Sequence, residues 1–244
     1  MSSISNSVEH ITDLIARTPL DQDPFCHVYM DKVFPSEIYQ GIMENLPDPG
    51  LYHPLNLRLY SRDDGISTRD LFHLTPDALL KLPERQRVFW TMVVKLVGHP
   101  AIKSTIFAKL APDIAERFGV NEDDVPQIRC EYEIMLMRDT QDYRIKPHPD
   151  GLNKIVTMQF YLPPDDSQLS LGTSLYKRNK KLFRSSFEEV KRFEFRPNSG
   201  YAFAVSDRGE KKSWHGREQL TGFTGVRNTL MVLFQEKSPR SYAI

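Results

Sequence analysis

The stretch Tyr143-Arg144-Ile145-Lys146-Pro147-His148-Pro149-Asp150-Gly151 sets an imidazole and a carboxylate two residues apart at the end of a strand-like run. Side chains at i and i+2 of a strand leave the same face, so His148 and Asp150 can converge on one point. One further donor would complete a metal site. Trp214-His215-Gly216 supplies a histidine 65 residues beyond Asp150, just before the apolar run from Val226 to Phe234. Two neutral imidazoles and one carboxylate on one side of a metal leave the other coordination positions open, which suits Fe(II). Arg227 stands twelve residues after His215 inside that apolar run. A buried guanidinium is costly without an anion, so Arg227 asks for a carboxylate partner. Thr229, two residues on, points the same way and adds a hydroxyl.

The rest of the chain must position these groups. The spacing predicts a helix over 7–17, where Val8, Ile11, Leu14 and Ile15 recur at helical positions and Ser7 offers an N-cap. Residues 24–30 alternate like a strand, and Pro35-Ser36-Glu37 opens a second helix that stops at Pro47-Asp48-Pro49-Gly50. From Leu51 to Thr75 there is no period, only long loops and short strands of the kind that cover a site. Helical spacing returns over 76–97, interrupted near Pro83, and 101–118 predicts another helix closed by Gly119. Beyond Asn121 the texture becomes β-type, with runs at 127–138, 154–162, 169–176, 190–195, 201–205 and 226–234. Helices first and strands afterwards predict an α+β chain, and a double-sheet jelly roll closes that many strands most economically. The expected organisation is a single domain over 1–244. Residues 1–125 would be mainly helical support and lid segments, and 126–236 a jelly-roll, cupin-like catalytic core.

Lys plus Arg (32) balance Asp plus Glu (32), so no overall field recruits nucleic acid or an anionic membrane. The first residues lack a signal-like pattern and no apolar run approaches the ~20 residues of a membrane span, so a cytoplasmic protein is expected. The two cysteines, Cys26 and Cys130, lack metal spacing and are expected to be reduced thiols. The basic cluster Lys177-Arg178-Asn179-Lys180-Lys181 is expected to be a solvated hairpin tip.

Taken together, His148-x-Asp150, the distal His215 and the basic Arg227 on the following strand resemble the Fe(II)- and 2-oxoglutarate-dependent oxygenase superfamily over roughly residues 127 to 236. That resemblance implies a double-stranded β-helix buttressed by helices. It implies Fe(II) held by His148, Asp150 and His215, and 2-oxoglutarate whose distal carboxylate pairs with Arg227. Arg227-Asn228-Thr229 would stand for the R-x-S arrangement of part of the superfamily. It also implies O2 as the oxidant, oxidation of a C–H bond and release of succinate and CO2. The Asp150 carboxylate favours hydroxylation over halogenation, because halogenases of this kind carry a small residue there. No motif matches a substrate-defined subfamily.

Tyr132 and Gln159 lie in core strands and are further candidates to face the oxoacid. Arg217 competes with Arg227 for the same carboxylate, but Gly216-Arg217-Glu218-Gln219 predicts an exposed turn; Glu236 offers Arg227 an internal partner instead. Arg129 and Arg144, with Arg58, Arg62 and Arg69 in the lid segment, suggest room for a second carboxylate. They suit an amino acid or carboxylated metabolite, and equally could pair with Asp63, Asp64, Asp70 or Glu131. Long loops at 51–75 and 163–189 favour a covered site and a small-molecule substrate over the open groove that a residue hydroxylase of prolyl-hydroxylase type needs. A cupin-like metal-binding protein without turnover is the third reading. The sequence carries no signal of oligomeric state.

Overall fold

The computed structural model describes residues 4–57, 60–180, 185–206, 211–219 and 225–236. The first half supplies α1 (Ile4–Arg17), β1 (His27–Met30), α2 (Ser36–Glu44), β2 (His53–Pro54), β3 (Arg69–His73), α3 (Pro76–Leu79), α4 (Glu84–Val97), α5 (Pro100–Lys109) and α6 (Ala111–Phe118). The second supplies β4 (Glu131–Asp139), β5 (Ile145–His148), β6 (Lys154–Tyr161), β7 (Ser174–Lys180), β8 (Ser185–Arg192), β9 (Gly200–Ala204), β10 (His215–Arg217) and β11 (Arg227–Gln235).

Local chemistry sets the helix ends. Thr75 caps α3 by accepting from the Ala78 N–H, His99 caps α5 by accepting from Ala101, and Gly119 closes α6 in the left-handed conformation at φ 67°. Two expectations are corrected here. Ser7 is no N-cap; it is buried inside α1, which begins at Ile4. The run over 101–118 is two helices, broken at Leu110, because Pro112 sits in the first turn of α6, where its missing N–H costs nothing.

The strands form two antiparallel sheets, ordered β1-β9-β6-β11-β4-β3-β2 and β5-β10-β7-β8. From β4 to β11 the chain passes back and forth between them, which is the double-stranded β-helix, or jelly roll. Alternation assigns the faces of the seven-stranded sheet. Ile134, Leu136, Val156, Met158, Phe160, Leu230, Val232 and Phe234 leave one face and pack with the helices in one apolar cluster. Each such side chain removed from water contributes about 1.5–3 kcal/mol. The opposite face carries Thr157, Gln159, Tyr161, Met135, Met137, Arg227, Thr229, Met231 and Leu233. Part of it packs on the four-stranded sheet through Tyr161, Tyr201, Phe203, Leu175 and Ile145. The remainder stays open and forms a cavity between the sheets.

The segment over 163–189, expected to be loop, holds the β7–β8 hairpin. Lys177 to Lys180 end β7, whereas Lys181 lies outside the described residues. Cys26 and Cys130 are free thiols, and among the described residues no helix is long and apolar enough to cross a membrane.

Candidate metal centre and its cavity

His148 ends β5, an edge strand of the four-stranded sheet. Pro147 and Pro149 flank it, and a residue before proline is held extended; an edge also tolerates the N–H that Pro147 lacks. The chain therefore arrives straight at its ligand. β10 pairs antiparallel with β5 so that His215 lies directly opposite His148, and the two rings stand 4.4 Å apart. Gly216 permits that pairing: a Cβ there would lie 2.6 Å from the Ile145 carbonyl oxygen. Asp150 closes the group, its Oδ2 3.9 Å from His215 Nε2. One ligand atom from each of His148, Asp150 and His215 falls within 4.8 Å of the others, and this is the cluster among the described residues that could hold a metal.

The hydrogen bonds set the protonation that a metal requires. His148 Nδ1 lies 3.0 Å from the Lys146 carbonyl and His215 Nδ1 2.9 Å from that of Ser213. A carbonyl only accepts, so each Nδ1 carries the proton and each Nε2 keeps its lone pair. Burial and the adjoining His215 ring push His148 down to about 3, and burial pushes His215 down as well, so both are neutral near pH 7. Burial raises the Asp150 carboxyl, but His215, Lys154 and Thr157 outweigh it and hold the group at about 2. Lys154 Nζ donates to Asp150 Oδ1 at 2.5 Å and Thr157 Oγ1 to Oδ2 at 2.6 Å. Two neutral imidazoles and an oriented carboxylate fit a facial Fe(II) site.

The triad opens on a cavity of about 140 Å³ with two unlike walls. Leu55, Leu71, Met135, Met137, Met231 and Leu233 make one wall apolar; Arg69, Lys154, Gln159, Thr173, Arg217 and Arg227 are on the polar side. Arg227 is buried with its plane beside Tyr161 and Phe195, as expected of a guanidinium that meets an anion. That anion is internal, yet it is not Glu236, which pairs with Arg117 instead. Arg227 Nη1 donates to Asp139 Oδ2 at 2.8 Å and Nε to the Leu171 carbonyl at 2.8 Å. Asp139 is shared with Arg69, which grips it at 2.6 and 2.9 Å.

Gln159 lines the cavity, donating to Thr229 Oγ1 at 3.0 Å and accepting from Tyr201 Oη at 2.6 Å. Thr229 is fully buried behind Gln159. Tyr132 is corrected: it is 51% exposed, and strand phase sends it to the helix side of β4 with Ile134 and Leu136, away from Met135 and Met137. Arg217 is corrected in the other direction. It is no exposed turn residue but lies in β10, 7% exposed, with Nε and Nη1 buried and without a hydrogen-bond partner among the described residues. Burial, with Arg227 and Arg192 nearby, lowers its pKa.

Arg62 pairs with Asp64 and Asp142, Arg144 with Asp63, Arg129 is exposed, and Arg58 lies outside the described residues. Lys154, Thr157, Tyr201, Thr173 and Asp139 are additions to the site. The alternation Thr157-x-Gln159-x-Tyr161 in an otherwise apolar strand is the sequence signal for the polar face of β6.

No family model matches this sequence, and no curated protein matches it. Solved structures do share its fold. A prolyl hydroxylase of Trichoplax adhaerens, in complex with a hypoxia inducible factor oxygen degradation domain peptide fragment, has a TM-score of 0.53 at 10% identity, covering 99% of this chain and 94% of that one. A prolyl-4-hydroxylase of Pseudomonas putida has a TM-score of 0.50 at 12% identity over 95% and 100%. JOX2, in complex with 2OG, Fe and JA, has a TM-score of 0.51 at 15% identity over 87% and 68%. At these identities the likeness is one of fold, and the fold shared with them is the jelly roll described above.

Proposed function

We propose that the protein is an Fe(II)- and 2-oxoglutarate-dependent oxygenase that oxidises a C–H bond of a small molecule. The carrying observation is the pair of neutral histidines whose free Nε2 atoms converge with an ionised Asp150 at a cavity lined by cationic side chains. The fold shared with a prolyl-4-hydroxylase and with JOX2, the latter in complex with 2OG and Fe, supports the same reading. The volume of about 140 Å³ lies below the usual range of small-molecule sites and suits an oxoacid and a small substrate better than a peptide.

His148, Asp150 and His215 would hold the iron; iron and oxoacid together supply the oxidising power for C–H cleavage. The chain's own tasks are then specific. The Lys146 and Ser213 carbonyls keep the two Nε2 lone pairs directed at the metal position. Lys154 and Thr157 fix the Asp150 carboxylate and keep it ionised. The Met and Leu wall excludes water from the reacting centre and receives the apolar part of the substrate. The polar side of the cavity supplies positive charge for a carboxylate.

The test is anaerobic reconstitution with Fe(II), followed by succinate release from 2-oxoglutarate in air. One iron per chain and measurable succinate are expected, with both removed in His148→Ala and His215→Ala. Unchanged iron stoichiometry in both variants rejects the triad. Iron binding without succinate, in the presence of a broad panel of small molecules and peptides, leaves a metal-binding protein without turnover. Stimulation by a prolyl peptide alone would make it a residue hydroxylase.

A further inference from the structure

We infer that Arg217 is the cavity's receptor for a ligand carboxylate, with Arg227 held from that role by Asp139. This rests on the oxygenase reading above and deepens it by locating an anion subsite. Among the cations lining the cavity, Arg69 and Arg227 share Asp139, and Lys154 is bound to Asp150. Arg217 is the one to which no carboxylate comes among the described residues. Its chain neighbour Glu218 is turned outward, 62% exposed at its side chain and engaged by Arg192 at 3.0 Å. Arg192 is itself tied to Glu189.

Burial makes the omission informative. Arg217 is over nine-tenths buried, and its Nε and Nη1 meet no acceptor. For a guanidinium so placed the desolvation penalty outweighs the attraction of the more distant Glu218, and a ligand carboxylate would relieve it. Position agrees. Arg217 is two residues beyond His215 on β10, and both line the same cavity although the pairing with β5 shifts register between them. Arg227, by contrast, has Nε on Leu171, Nη1 on Asp139 and aromatic rings beside its plane, so it is already occupied.

The carboxylate could belong to the oxoacid's distal end or to the primary substrate, and calorimetry on Mn(II)-loaded protein separates the two. In the first arm wild type and Arg217→Gln are titrated with 2-oxoglutarate and with 2-oxopentanoate, which lacks the distal carboxylate. A loss of at least about tenfold for 2-oxoglutarate, with 2-oxopentanoate unchanged, assigns Arg217 to the oxoacid. In the second arm protein saturated with Mn(II) and 2-oxoglutarate is titrated with hexanoate and hexan-1-ol. Loss of hexanoate alone assigns Arg217 to a substrate carboxylate. No change in either arm overturns the inference.

Thermal unfolding of the ligand-free protein is the check on structure. Arg217→Gln is expected to melt at or above the wild-type temperature, because it removes an uncompensated buried charge. Arg227→Gln should melt lower, because it breaks an ion pair. A fall in Arg217→Gln as large as that in Arg227→Gln makes Arg217 a structural residue and also overturns the inference. If wild type binds neither Mn(II) nor 2-oxoglutarate, the oxygenase reading fails. Arg217 is then judged on hexanoate against hexan-1-ol in the metal-free protein, where discrimination lost in Arg217→Gln sustains it and its absence rejects it.

Discussion

A histidine offers a metal its Nε2 lone pair only when the other nitrogen's proton is tied down, and in this chain the strands do the tying. His148 and His215 each meet the carbonyl two residues back, and so does His27, whose Nδ1 lies 2.8 Å from the Phe25 oxygen. The same local habit recurs at His27, whose Nε2 lies 3.5 Å from Asp21 Oδ2 but which joins no cluster of three metal donors among the described residues. Thr157→Val removes the hydroxyl donor to Asp150 and is expected to weaken Fe(II) binding by roughly 10–100-fold. A competition titration with a chelator of known affinity reads it, and a change below about threefold would show that Thr157 does not orient the carboxylate. His27 makes a different prediction. Burial lowers its pKa, against the opposing effect of the Phe25 carbonyl, while the unfolded chain titrates near 6.5. Below about pH 6.5 the unfolded state then binds more protons, so His27 adds stability above that pH that is lost as pH falls through the folded value. His27→Phe should flatten the melting-temperature profile on the acid side relative to wild type; parallel profiles would exclude His27 as a contributor.

At the scale of elements, the site is a matter of register. β10 is three residues long, yet it carries His215 against His148, Gly216 against the Ile145 carbonyl and Arg217 into the cavity. Gly216→Ala is expected to push β10 away from β5 and reduce Fe(II) affinity by about tenfold or more. Normal affinity in a folded Gly216→Ala protein would show that β10 can shift without moving its ligand. β3, β4 and β11 are joined by Asp139, which Arg69 and Arg227 both hold. Asp139→Asn leaves two buried guanidiniums facing a neutral amide, and a loss of about 3–5 kcal/mol in urea unfolding is expected. A loss under about 1 kcal/mol would show that the pair is solvated. These relations also explain what could be read in advance. The His148-x-Asp150 pair is local, so strand phase alone shows its convergence. Arg217 is not legible, because Gly-Arg-Glu-Gln has the polarity of a turn and only the neighbours β5 and β7 bury it. The facing of Tyr132 is illegible for a different reason: β4 is apolar on both faces, with Ile134 and Leu136 on one and Met135 and Met137 on the other, so alternation gives no hint of which face meets the cavity. Asp139, preceded by Arg138, has the look of a solvated turn until two arginines from distant strands close on it.

At the scale of the molecule, helices cover one face of the seven-stranded sheet and leave the other to face the smaller sheet. This asymmetry makes an enclosed cavity, and it also decides what material surrounds the reacting centre. Met135, Met137 and Met231 are thioethers on a wall shared with the iron ligands. Sulfur is the most easily oxidised group an apolar wall can offer, and methionine sulfoxide is polar and chiral where the thioether was neither. On the oxygenase reading the protein would therefore carry its own competing reductant. Incubated with Fe(II), 2-oxoglutarate and air but no substrate, it should age: mass spectrometry should find peptides containing these methionines one oxygen atom heavier, with succinate release slowing in step. Replacement of Met135, Met137 and Met231 by leucine should lengthen that working life, and an unchanged decay would place the damage elsewhere. For a protein of this build, a well-fitting substrate is also a sacrificial shield, and its supply determines how many turnovers each chain survives.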